Sequence, residues 1–73
     1  MILVVGATGL LGTEICKRLC ERGRATRAFV REGARGEAAL RSLGASIVHG
    51  DLKDAASVNA ACSGASIVIS SQS

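Results

Sequence analysis

Residues 3–15, LVVGATGLLGTEI, decide the fold. An apolar run enters three glycines spaced three apart, Gly6, Gly9 and Gly12, and emerges in a helical pattern. Glycine costs backbone entropy, so three in seven residues need a physical reason. A phosphate is one. A strand aimed at a helix start presents free N–H groups and the positive end of the helix dipole to an anion. In such a turn Gly6 permits the sharp exit from the strand. Gly9 lets the backbone approach a pyrophosphate with no side chain between, and Gly12 lets the helix pack closely on the strand. The spacing is G-x-x-G-x-x-G, one residue longer in its first interval than the G-x-G-x-x-G dinucleotide fingerprint. The competing reading is a glycine-rich turn with no ligand. The context test favours the ligand: a strand precedes the loop and a helix follows it.

Outward from the loop, residues 1–5 are wholly apolar, as in a strand buried on both faces of a parallel sheet. Residues 10–22 read as a helix, with Gly12, Ile15, Cys16 and Leu19 on one face and Glu14, Lys17, Arg18 and Glu21 off it. Gly23 is its stop signal. Residues 25–30 form a second strand, 35–43 a short helix closed by Gly44, and 45–49 a third strand. A third helix opens between Asp51 and Asp54, runs to about Cys62 and is closed by Gly64, and residues 65–70 are the fourth strand. Every strand is separated from the next by a helix, which demands parallel pairing through right-handed crossovers. The expected fold is α/β, a Rossmann-like parallel sheet of strand order 3-2-1-4 with helices on both faces. The whole of residues 1–73 reads as the N-terminal part of one dinucleotide-binding domain.

Composition narrows the function classes. Of the 73 residues, 48% are apolar but only Phe29 is aromatic, so the core is built from Val, Ile, Leu and Ala. The net charge is +3, and five arginines fall between Arg22 and Arg35. They read as a solvated basic edge or as the neighbours of an anionic ligand. Nucleic acid is a weaker partner, since there is no Trp or Tyr to stack on a base. Cys16, Cys20 and Cys62 show no metal-ligand spacing and read as small buried thiols of a reduced protein. No leader and no 18-residue apolar span is visible, so a cytoplasmic protein with no membrane partner is the expectation.

The motif GATGLLG (Gly6, Ala7, Thr8, Gly9, Leu10, Leu11, Gly12) resembles the extended and atypical short-chain dehydrogenase/reductases, particularly their NmrA-like branch. The likeness continues in FVRE at the second strand's end and in LGASIVHGDLKDAASVNAACSGASIVIS, residues 43–70. Ser66 departs from the Asp often found there, a residue that would mainly orient the turn. The resemblance implies a dinucleotide cofactor held by the loop, and a small-molecule substrate held by residues beyond these.

The nucleotide is read from the end of the second strand. An acid there selects NAD through the ribose hydroxyls, whereas an arginine accommodates the 2′-phosphate of NADP. Arg31 follows Val30 and can pair bidentately with a phosphate or stack on adenine. NADP is the expected cofactor, with Arg31 first and Arg35 as a second contact. NAD stays open, because Glu32 could hold the ribose. Asp51 and Leu52, by the resemblance, lie against adenine, and Asp51 equally reads as the cap of the following helix. Ser70 and Ser71 fall at the carboxyl end of the fourth strand, where such sheets bind ligands, although Ser71 and Gln72 read equally as a frayed end. His49, the only histidine, reads as a strand end rather than a general base.

The family's reductases place a Tyr-x-x-x-Lys pair downstream of the fourth strand, and these 73 residues contain no Tyr. A piece of a longer NAD(P)-dependent oxidoreductase or epimerase is therefore the leading expectation. A dinucleotide-binding sensor or regulatory protein without turnover is the alternative.

Overall fold

The computed structural model describes residues 1–70. Seven elements alternate: β1 (Ile2–Val5), α1 (Leu10–Glu21), β2 (Thr26–Val30), α2 (Glu37–Leu43), β3 (Ser46–His49), α3 (Ala55–Cys62) and β4 (Ile67–Ser70). The four strands form one sheet of order β3-β2-β1-β4. All three pairings are parallel, with Val5 opposite Phe29 and Ser70, and Val30 opposite His49. The expected strand order and the uniformly parallel pairing are both present.

Strand alternation sorts the core onto two faces. Ile2, Val4, Ala28 and Val30 pack with Cys16 of α1 and Leu40 of α2. Leu3, Val5 and Phe29 pack on the opposite side with Ala61 of α3. All four β1 residues are buried, which is why the strand reads as a continuous apolar run rather than an alternating one. The α1 face read from the sequence is the buried one: Gly12 and Cys16 are buried, and Ile15 and Leu19 pack against the same cluster.

Two helix starts lie later than the sequence suggested. The second helix begins at Glu37, not Arg35, because Gly36 adopts a left-handed φ of 92° as its N-cap. The third begins at Ala55, and its cap is Asp54, whose carboxylate accepts from the Ala56 amide at 3.1 Å. Asp51 is therefore not the helix cap. Its Oδ1 instead accepts from the Lys53 amide at 2.9 Å, closing a turn of its own.

Tertiary bonds fix these helices to the sheet. Arg27, on the α3 side of β2, donates from Nη1 to the Ala61 and Ser63 carbonyls, each at 2.8 Å. Those carbonyls end α3, so one guanidinium satisfies acceptors the helix cannot and meets the negative end of its dipole. His49, the last residue of β3, pairs through Nε2 with Glu37 of α2. Ser66 bonds to the Met1 carbonyl through both its amide and its hydroxyl, so the departure from Asp still orients the turn into β4.

Candidate nucleotide site

The three glycines of the opening loop differ in what the fold asks of them. Gly6 has φ 79°, a left-handed conformation that disfavours any side chain. Gly12 is buried within α1. Gly9, the N-cap of α1, has φ −73° and ψ 169°, ordinary extended backbone. A Cβ there would meet nothing inside the chain closer than the Gly6 carbonyl at 3.5 Å, a normal contact. The fold itself therefore does not require glycine at position 9, and the open space beside it lies outside the chain.

The loop is preorganised. The Gly9 amide donates to the Gly6 carbonyl at 3.2 Å, and the Thr13 amide donates to the Gly9 carbonyl at 2.9 Å. Thr13 Oγ1 donates to the Ala7 carbonyl at 2.9 Å, pinning the buried Ala7 to the first turn of α1. No side chain caps that helix, and its first turn carries no acid. An anion at this end would meet the helix dipole without competition from a carboxylate.

Beside the loop, at the carboxyl ends of β1 and β2, lies a hollow of about 350 Å³. Val5, Gly6 and Thr8 form one wall, Phe29, Val30, Arg31 and Ala34 the next, and Asp51, Leu52 and Lys53 the third. Three separate loops thus converge on one space. A second, more open hollow of about 490 Å³ shares Arg31 and Asp51 and adds Glu32, His49, Asp54 and Ser57.

The sequence candidates divide accordingly. Gly6, Thr8, Arg31, Asp51 and Leu52 line the first hollow. Gly9 caps α1, and Leu10 and Leu11, 96% and 62% exposed, occupy its first turn; none of the three lines either hollow. Arg35 is exposed in the loop before α2 and lines neither hollow. Glu32 faces only the second hollow. Ser70 ends β4 opposite Val5, one strand across from the loop, and Ser71 and Gln72 lie outside the described residues.

Three contributors escaped sequence reading. Lys53 lines the first hollow, and the one signal that could have found it is its place two residues after Asp51. Thr13 carried no signal as a loop anchor. Gly50 is the third: a Cβ there would fall 2.7 Å from the Phe29 ring and 2.9 Å from Ser57 Oγ. Glycine at position 50 lets the β3–α3 turn close over Phe29, where Ser57 Oγ bonds to both the amide and the carbonyl of Asp51.

Neither the cysteines nor the histidine supply reactive groups to the hollow. Burial, with the neighbouring Cys20, pushes the Cys16 thiol up to about 11, so it stays protonated and unreactive at neutral pH. His49 holds Glu37, and this hydrogen bond, with that of Arg41, keeps the Glu37 carboxyl below its ordinary range. What lines the first hollow is a set of apolar residues with two cationic and one acidic residue. That arrangement suits a planar ring and an anion.

The parallel strand order β3-β2-β1-β4, the glycine turn between β1 and α1, and the hollow at the carboxyl ends of the strands define a Rossmann-like α/β protein. The chain belongs to the NmrA-like family, whose sequence model matches residues 1–73. Among curated proteins it is 40% identical over 76 residues to an isoflavone reductase homolog of Zea mays, covering 94% of this chain and 25% of that one. It is 38% identical over 68 residues to a photosystem II assembly factor of Cyanophora paradoxa, covering 93% of this chain and 21% of the other. Among solved structures, a nucleoside-diphosphate-sugar epimerase from Pseudomonas aeruginosa superimposes with TM-score 0.88 at 27% identity, over 96% of this chain and 23% of that one. AtPrR2 with NADP+ and (+)-pinoresinol superimposes with TM-score 0.87 at 32% identity, over 99% of this chain and 25% of the other. The chain spans about a quarter of the length of these proteins.

Proposed function

We propose that these residues bind NADP(H), as the cofactor-binding part of an NAD(P)-dependent reductase or epimerase. The observation that carries the reading is Gly9. Its backbone would accept a side chain and its surroundings inside the chain leave room for one, so the glycine serves something outside the chain. The pyrophosphate would lie against the Gly6–Gly12 turn and the start of α1, with Leu10 and Leu11 flanking it. Adenine would occupy the first hollow between Arg31 and the Asp51–Leu52 turn, and Ser70 would face the ribose or pyrophosphate from β4. The solved NADP+ complex of AtPrR2 supports NADP over NAD. So does the placement of Glu32, which lines only the second hollow while Arg31 lines both.

Bound there, the dinucleotide would supply the hydride chemistry. The substrate and any proton donor would be held by residues beyond these 73, which contain no Tyr. A second reading, dinucleotide binding without turnover, is favoured by the likeness to a photosystem II assembly factor. Calorimetric titration of the whole natural protein with NADP+ and NAD+ tests the first step. Tighter binding of NADP+ is expected, and equal or tighter binding of NAD+ overturns the NADP assignment. Consumption of NADPH with candidate carbonyl substrates then separates turnover from binding alone.

A further inference from the structure

We infer that Lys53 is a second cation for the 2′-phosphate of adenosine, acting with Arg31 from a separate loop that lines the same hollow. This rests on the NADP reading above. Arg31 leaves the end of β2, whereas Lys53 belongs to the turn between β3 and α3, and both line the same space. Neither side chain has an ion pair among the described residues, where the cations in pairs are Arg18, Arg41 and His49. Among the described residues the one acid lining this hollow is Asp51, and its Oδ1 is engaged by the Lys53 amide at 2.9 Å.

The turn that carries Lys53 is held firmly. Asp51 Oδ1 accepts from the Lys53 amide, the Asp51 carbonyl accepts from the Asp54 amide at 2.9 Å, and Ser57 Oγ donates to the same carbonyl at 2.9 Å. The Lys53 backbone is thus fixed before any ligand arrives, and only the flexible stem must be ordered. Two unpaired cations on separate loops, in a hollow also lined by Val5, Phe29 and Leu52, favour a planar base that carries an anion. Adenosine with a free 2′-hydroxyl offers the second cation a neutral acceptor and no charge to pair with. Lys53 therefore contributes to discrimination rather than to general affinity.

The test uses adenosine 2′,5′-bisphosphate and 5′-AMP as probes, titrated into the whole natural protein at low salt, where exposed charges are least screened. Lys53→Ala should weaken the bisphosphate by about fivefold, the scale of an exposed ion pair, and leave 5′-AMP unchanged. Lys53→Arg should restore most of the loss. Equal weakening of both probes would mean that Lys53 only shapes the turn, and unchanged binding of both would mean that it does nothing; either result overturns the inference. Arg31→Ala, measured alongside, tells the two readings apart. If it loses the bisphosphate while Lys53→Ala does not, the NADP assignment stands and Lys53 alone is excluded. If the wild-type protein fails to prefer the bisphosphate at all, both fall.

Discussion

Gly9 and Arg31 carry the residue-scale argument, and each can be tested alone. Gly9→Val should leave the far-UV circular dichroism near that of the wild type, since the extended backbone at position 9 accepts a side chain. It should abolish dinucleotide binding, because the isopropyl group would stand where the pyrophosphate must approach; unchanged affinity would reduce Gly9 to a turn residue. Arg31→Ala should weaken NADP by about thirtyfold, roughly 2 kcal/mol, and leave NAD nearly unchanged. Gly50 obeys the opposite rule to Gly9, since its constraint is internal. Gly50→Ala would drive a methyl into the buried Phe29 ring, so it should destabilise the fold by about 1–3 kcal/mol. A shift of the urea midpoint at constant slope would show it, and an unshifted midpoint would mean that the ring gives way freely.

At the scale of elements, single side chains tie helices to the sheet. Arg27 spans from β2 to the last carbonyls of α3, so Arg27→Met should lower stability by about 1–2 kcal/mol through the loss of charge-assisted bonds to those carbonyls. Arg24→Met, in the same basic stretch but with no side-chain bond among the described residues, should be close to neutral. The sequence count of five arginines merged these roles, because nothing local distinguishes a cap for a helix 34 residues away from a solvated charge. Glu37 links α2 to β3 through His49 and to its own helix through Arg41. Its folded-state pKa is lowered, so its contribution is present above the ordinary carboxylate range and is lost as pH falls through the lowered value. Replacing it with Gln should therefore flatten the acid limb of a stability–pH profile. An identical limb in the variant would show that the pair adds nothing in water.

At the scale of the whole molecule, the sheet is covered unevenly. The helices α1 and α2 share one face, whereas α3 packs on Leu3, Val5 and Phe29 and leaves Val68 of β4 half exposed. Ile67 on the other side of β4 is equally exposed, at 52%. As the edge of the sheet described here, β4 presents both apolar side chains and strand hydrogen-bonding groups to its surroundings. Residues 1–73 expressed alone should accordingly self-associate or fold poorly, since so small a chain also buries only about 60% of its unfolded surface. Sedimentation at two concentrations would show the association, and Val68→Lys should reduce it. A monomer with a cooperative melt well above room temperature would contradict the expectation.

The sequence by itself determined the order of elements, their parallel pairing and the position of the glycine turn between β1 and α1. Those depend on local periodicity, on glycine punctuation, and on the geometric rule that a helix between two strands brings them in parallel. It also marked the buried stripe of α1, because burial there follows helical spacing. Only the tertiary structure decided which charged side chains share a space. It put Lys53 and Arg31 around one hollow, left Glu32 lining only the other, gave the α3 cap to Asp54 rather than Asp51, and set Arg27 against the far end of α3. The physical reason is that charges report no periodicity. A solvated arginine and one that caps a distant helix read alike along the chain, and they differ only in what the folded sheet brings within three ångströms.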